Sequence, residues 1–226
     1  MQNLDTQYIR SVAKQNGYSI SVYSAILMVV LAILYFEAPE NLQLPLMFLM
    51  GCSVVGVVMG VFKIQEPDVS FMLNNQGILY HHKRGFLLIE WENVQRIDIP
   101  KVHQGLESVD LAFVGIKLVD PEKILGAISL RLISHLLIEQ RAILHRYLKE
   151  DCPTGTCISE ITLNTDAYKS DSGIIYTGLR GMFAHRMAWL RKLSGYDLLI
   201  PESAFDRPAE EFAQLLKHFK QEAETV

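Results

Sequence analysis

The sequence predicts an α+β protein in two parts: an N-terminal transmembrane helical hairpin, then an antiparallel domain that closes on a C-terminal helix. Three observations predict it. Two apolar, charge-free runs lie within the first 63 residues, short alternating segments with turn residues between them follow from residue 70, and residues 208–221 return to a helical period. A chain of 226 residues and 25.7 kDa has room for one ordinary domain plus such an appendage.

Residues 17–36 contain no Asp, Glu, Lys or Arg. At about 1.5 Å per residue, twenty residues make a helix about 30 Å long, the thickness of a bilayer core. Residues 44–62 form a second uncharged run, and the link 37–43 holds Pro39 and two acids. The pair is predicted to be an antiparallel hairpin whose ends share one side of the membrane. A cleaved signal peptide fits poorly, because the charged leader is long, no small-x-small site follows, and a second span comes directly after. Basic residues flank the outer ends (Arg10, Lys14, Lys63, then Lys83 and Arg84) and are missing from the link, so both termini are predicted to be cytoplasmic. Tyr18, Tyr35, Phe36 and Phe62 stand near the boundaries, where aromatic rings suit the headgroup zone. Cys52, Gly56 and Gly60 repeat every four residues and lay small side chains along one face for close helix packing, against the first span or in a homodimer. Neither run has an ionisable residue at mid-depth, which disfavours a channel or pump.

Composition excludes other classes. Half the residues are hydrophobic, 20% are charged and the mean hydropathy is +0.17, which rules out a disordered chain. Three cysteines do not make a disulfide-stapled fold, and a net charge of -4 argues against a general nucleic-acid binder.

Beyond the hairpin, the domain of 64–226 opens with predicted strands at 71–73, 78–82, 86–91 and 94–99, with turn glycines Gly77 and Gly85, and a further strand at 111–119 ending at Asp120-Pro121. A helical insertion of about 123–195 follows. It begins with one amphipathic helix over 123–149, on which Leu125, Ile128, Leu132, Leu136 and Ile143 form the apolar stripe. It continues through a break at 151–157, strands at 158–163 and 173–177, and a second helix over 179–193. A strand at 196–200, a turn at 201–207 and a helix over 208–221, with Asp206 as its cap, complete the chain.

An antiparallel meander closed by a C-terminal helix is the element order of a pleckstrin-homology-like (PH-like) barrel. Gln76-Gly77-Ile78-Leu79-Tyr80, followed by Phe86-Leu87-Leu88-Ile89-Glu90-Trp91-Glu92-Asn93-Val94, resembles the text of bacterial membrane-associated PH-like domains. Leu199-Ile200-Pro201-Glu202-Ser203-Ala204-Phe205, then Glu210-Glu211-Phe212, is similar to the closing strand and helix of the YcxB-like group. The resemblance covers about residues 2–119 and 196–221. It implies an uncharacterised bacterial family with two spans before a PH-like cytoplasmic domain, placed in the inner membrane. It implies no known reaction, and a PH-like fold does not by itself imply phosphoinositide binding.

The predicted helix 179–193 carries Arg180, Arg186, Arg191 and Lys192, no acid, and Trp189. Beside a tethering membrane, this basic amphipathic pattern is a candidate contact for anionic lipid, with about 1 kcal/mol for each basic residue near the surface. The competing reading is a helix packed on its own domain with a solvated rim. Cys152 and Cys157, with four residues between them, are half a metal site at best, and in a reducing compartment they are free thiols. His81 and His82, with Glu90, Glu92 and His103, do not make a cluster, because adjacent strand residues point to opposite faces. No phosphate-loop, nucleophile-elbow, zinc-protease or dinucleotide motif occurs. The expectation is therefore a membrane-anchored interaction module with no catalytic residue, metal or cofactor, whose partner is anionic lipid, a protein or a second copy. Two alternatives stand beside it: a membrane-bound enzyme with a site between the inserted helices and the barrel, and an oligomeric scaffold or assembly factor.

Overall fold

The computed structural model describes residues 6–10, 16–65, 67–104, 107–148, 161 and 164–225. The chain divides into two compact units, Ser11–Asp68 and the combination of Met1–Arg10 with Val69–Val226.

The smaller unit is a pair of helices, α1 (Gly17–Glu37) and α2 (Glu40–Ile64), joined by a two-residue turn at Ala38-Pro39. Both are long and apolar enough to cross a membrane, which indicates membrane association. Only 6% and 11% of their most apolar windows are buried, so they are not core helices of a soluble fold. Large side chains such as Ile33 and Phe48 point outward. In water such a surface is strongly unfavourable; in hydrocarbon it costs nothing. Pro45 stands in the second turn of α2, where it has no N–H to donate to the Asn41 carbonyl.

The larger unit is a mixed helix and sheet domain. Its first sheet has the order β1-β2-β3-β4, all antiparallel: β1 (Gln7–Ile9), β2 (Phe71–Leu73), β3 (Gly77–His82) and β4 (Gly85–Glu90). β1, expected to belong with the hairpin, was not anticipated. Three residues are too few for a period to show, and β1 pairs with a strand more than sixty residues away (Ile9 opposite Phe71). Both spans are thus inserted between two neighbouring strands. Phe71, Leu73, Ile78, Leu87 and Ile89 alternate inward and are at most 3% exposed. Trp91, in the 3-10 turn Trp91–Asn93, ties this sheet to its own turn by donating its indole N–H to the Asn74 carbonyl at 2.8 Å.

A second sheet has the order β11-β8-β5, from β5 (Val94–Asp98), β8 (Phe113–Leu118) and β11 (Leu198–Pro201). Two-stranded ribbons are formed by β6 (Lys101–Gln104) with β7 (Glu107–Asp110), and by β9 (Tyr168–Lys169) with β10 (Ile175–Tyr176). Among the described residues these sheets do not join into a closed barrel, which corrects the barrel expected above.

The helix expected over 123–149 is three: α3 (Pro121–Ala127), α4 (Leu130–Glu139) and α5 (Arg141–Leu148). Ile128 and Ser129 are extended, and Ser129 caps α4 by accepting from Leu132 N at 3.3 Å. A serine competes for backbone donors, so it starts a new helix here instead of continuing the old one. The next helix, α6 (Gly178–Ser194), ends at Gly195, whose φ of 82° is a left-handed cap that glycine adopts without strain. The last helix, α7 (Ala209–Thr225), packs on β5 and β8. Its first intrahelical acceptor is Pro208 O, and the Asp206 carboxylate pairs with Arg207 at 2.8 Å, so Asp206 is not the cap. Phe212 is fully buried, stacked on Phe205 at 4.2 Å and tilted against Phe71 at 5.3 Å. Burying one such ring stabilises by about 1.5–3 kcal/mol. The segment expected as a strand at 158–163, and Cys152 with Cys157, lie outside the described residues apart from Ile161, which is helical.

Candidate functional site

The acid-free helix α6 is the element on which the sequence concentrates cations, and the fold distributes them in three ways. Arg180 and Lys192 are exposed, with Lys192 Nζ 4.8 Å above the half-exposed Trp189 ring. Arg186 is only 2% exposed and donates Nη1–H to the Leu137 carbonyl at 3.3 Å. Burial, with Arg141 nearby, pushes its guanidinium down to about 10. Arg191 donates to Asp197 through Nε at 2.6 Å and Nη2 at 2.7 Å, and to the Leu118 carbonyl at 2.9 Å. The hydrogen bonds to the Asp197 carboxylate hold the Arg191 guanidinium above its ordinary value. Arg180, Arg186, Arg191 and Lys192 therefore do not form one basic face. Arg186 is committed to the interior and Arg191 to the buried Asp197 carboxylate, while Arg180 and Lys192 stay exposed.

Arg191 borders a cleft of about 480 Å³, walled by α6, by the start of α3 and by the β9–β10 ribbon. Its lip is built from the sheet outward. Asn93, 3% exposed, donates its amide to the Asp120 carbonyl at 2.9 Å and accepts from Asp120 N at 2.7 Å. Asp120, fixed in this way, caps α3 by accepting from Glu122 N at 2.8 Å, with Pro121 at the first helical position. Glu122 then accepts the Ser172 hydroxyl and, at 3.2 Å, the Ser172 backbone N–H, which hold its carboxyl below the usual range. Tyr168 stands on the opposite wall, edge-on to His185 at 5.1 Å, and burial raises its phenol. Leu125, Ala184 and Met187 supply the apolar lining.

Four carboxylates, Asp120, Glu122, Asp171 and Asp197, line this cleft against one guanidinium, which suits a small cationic or hydroxyl-bearing guest. No group of three or more His, Cys, Asp or Glu placed to hold a metal occurs among the described residues. Sequence reasoning missed Glu122, Tyr168, Asp171 and Asp197. The one local signal was Asp120-Pro121 ahead of a helix, and nothing in the linear text brings residues 120, 171 and 197 together.

The remaining residues singled out in the sequence are placed separately. His81 is exposed, whereas His82 turns to the other side and stacks on His135, ring centres 4.2 Å apart. On α2, a Cβ at Gly56 would fall on Ser24 Oγ of α1, and one at Gly60 would fall on Ser21 Oγ and lie 2.7 Å from Ser21 N. Cys52, one turn earlier, is exposed.

No curated protein and no solved structure matches the chain at a significant level. The resemblance to the YcxB-like group is not what the family comparison returns. A family described as "Protein of unknown function (DUF2982)" matches residues 71–222, more than half of the chain, from the second strand of the first sheet into the last helix. The chain belongs to that family.

Proposed function

We propose that this protein is a membrane-anchored interaction module. Its hairpin sits in the bacterial inner membrane, both termini are cytoplasmic, and the domain recognises anionic lipid or a protein partner at the membrane surface. The observation that carries this reading is the insertion of both spans between the paired strands β1 and β2. A chain that leaves a domain from one strand and returns to the next must cross the bilayer an even number of times. Basic residues at the outer ends of the spans and none in the link favour the cytoplasm for that domain. A distant PH-like ancestry is supported by the antiparallel meander and by the packing of α7 on β5 and β8.

The test is fractionation of the full chain combined with reporters fused after Val226. Retention in membranes through alkaline carbonate, extraction by detergent, and reporter activity only in the cytoplasm are expected. A carbonate-soluble chain, or a reporter active only in the periplasm, would overturn the proposal.

The cleft favours a second reading, a membrane-bound enzyme or small-molecule receptor acting through Glu122, Tyr168 and Arg191. That reading predicts that spermidine, a cationic probe, raises the melting temperature of the wild-type chain and not that of a Glu122→Gln/Asp171→Asn variant. Equal shifts in both proteins would remove it.

A further inference from the structure

The first sheet has one end to which both membrane connections belong. β1 runs outward to Ile9 and Arg10, and β2 begins at Phe71 opposite Ile9, with Ser70 N donating to the Ile9 carbonyl at 2.8 Å. β3 runs antiparallel to β2 toward this same end, where His81 N donates to the Ser70 carbonyl at 2.7 Å. The turn that follows β3, Lys83-Arg84, and the first residues of β4 therefore lie at the edge from which the chain departs for α1 and returns from α2.

This turn is not bare polar chain. Lys83 and Arg84 are exposed, and Phe86 is 65% exposed on the outward face of β4. Gly85, at φ 144°, is pressed so closely on α4 that a Cβ there would fall on Ser129 Oγ. The Ser129 hydroxyl donates to the Arg84 carbonyl at 3.2 Å. That contact brings the first turn of α4 beside the β3–β4 turn, with Leu130 51% exposed and Arg131 exposed. Residues 81–87 and 129–135 contain three Lys or Arg and no acid, in a chain whose net charge is -4. The connectors do not add to this balance, since Arg10 and Lys14 on one side are offset by Glu66 and Asp68 on the other.

An exposed Phe and Leu beside three cations is the composition that settles at a headgroup layer: the rings and aliphatic chains enter the acyl boundary and the cations stay with phosphate. The covalent connection supplies the location. Five residues, 65–69, separate α2 from Ser70, and at about 3.3–3.6 Å per extended residue they reach less than about 20 Å. We infer that Lys83, Arg84, Phe86, Leu130 and Arg131 form an interfacial contact with anionic phospholipid of the membrane that holds the hairpin. The inference rests on the membrane-anchored reading above and names its lipid-facing surface, which is the hairpin end of the first sheet and not helix α6.

The experiment uses the full chain in lipid nanodiscs. Phe86→Trp is introduced with Trp189→Phe, leaving Trp91, only 4% exposed, as the internal reference. Discs contain either phosphatidylcholine alone or phosphatidylcholine with phosphatidylglycerol, each with brominated acyl chains that quench indole on contact. The emission added by Phe86→Trp is expected to be blue-shifted and lost in phosphatidylglycerol discs at low salt, and recovered at high salt. It is also expected to be recovered when Lys83→Gln, Arg84→Gln and Arg131→Gln are added. Emission equal in both kinds of disc and in detergent would overturn the inference. So would quenching that survives removal of the three charges, or quenching that vanishes only when extracted membrane proteins are added, which would make the patch a protein contact. A chain that does not enter discs at all overturns the anchored reading instead, and so the two failures are distinguishable.

Discussion

Arg191 and Asp197 face each other across the cap of α6 through two parallel hydrogen bonds, and Asp197, 1% exposed, also accepts Leu118 N at 2.8 Å. One ion pair thus joins the last turn of a helix, the end of β8 and the approach to β11. Its energetics follow from burial: the carboxylate has left water, and among the described residues its compensation comes from these three donors. Removing one partner of a buried pair typically costs about 3–5 kcal/mol, and part of that is lost here because the Arg191 side chain is 37% exposed. Asp197→Ala and Arg191→Ala are each expected to destabilise the larger unit, and the double variant to be less unstable than the sum of the two. Denaturant unfolding followed by Trp91 emission checks this. Additive single effects would show that the two residues act independently.

Arg186, on the same helix, behaves oppositely. Its guanidinium is depressed to about 10, so below that pH the protein holds a cation where burial disfavours charge. Because the unfolded chain binds that proton more tightly, stability attributable to Arg186 rises as the pH passes upward from about 10 toward the ordinary guanidinium range. Relative to Arg186→Met, the wild type is expected to gain stability over that window and to show no change in the difference between pH 7 and pH 9. A difference that instead changes in the neutral range would sink this assignment.

Tyr147 gives the converse case. Its hydroxyl is buried without a hydrogen-bond partner among the described residues, and burial, then Tyr196, pushes its phenol up to about 12. An acid whose folded pKa is raised stabilises below its ordinary value, here 10, and loses that contribution as pH climbs toward 12. Tyr147→Phe is expected to be neutral or slightly stabilising at pH 7, since it removes an unsatisfied polar atom. It is also expected to keep its stability further into alkali than the parent. Paired melting curves at pH 7 and about 10.5 read both halves. A loss of more than about 1 kcal/mol at pH 7 would mean the hydroxyl has a partner.

These residues also show where sequence text stops. The spans, β2 to β5, α6, β11 and α7 follow from composition and period, because each is long or strongly patterned. β1 and the β6–β7 ribbon do not, since a three- or four-residue strand is defined by its partner and not by its own residues. The break at Ile128-Ser129 was hidden because the apolar stripe continues through it, while the cap that ends one helix and starts the next is a single hydroxyl. The division of the basic set on α6 was hidden for a related reason. Arg186 and Arg191 read as surface cations in any linear count, and only the positions of Leu137 O and of Asp197 show that they turn inward.

Gly115 supplies a packing test at the centre of β8. A Cβ there would lie 2.6–2.9 Å from three atoms of the Tyr196 ring, which itself carries Arg96 4.7 Å from its centre. The ring is 5% exposed and pinned between strand and guanidinium, so it cannot yield cheaply. Gly115→Ala is expected to cost about 1–3 kcal/mol through overpacking, and Tyr196→Ala to relieve that cost when combined with it. A tolerated Gly115→Ala would show that Tyr196 can swing away.

The membrane hairpin is tested at Gly60, where helix approach leaves no room for a side chain: a Cβ would lie 2.7 Å from Ser21 N and 2.9 Å from Gly17 O. Both obstacles are backbone, so neither can rotate aside, and a larger residue must push α1 and α2 apart. In hydrocarbon, where no hydrophobic gain compensates, helix association depends on such close packing. Gly60→Leu is therefore expected to weaken the α1–α2 contact, whereas Gly51→Leu, at a position with nothing within 4 Å of its Cβ, should leave it intact. Crosslinking by a bifunctional thiol reagent between Tyr23→Cys and Val55→Cys, at exposed positions next to Ser24 and Gly56, in a background lacking the native thiols, measures the contact. Crosslinking that survives Gly60→Leu at the wild-type level would mean that the close approach at Gly60 does not hold the pair. Crosslinking that joins two chains rather than closing within one would make this small-residue face the interface of an oligomer.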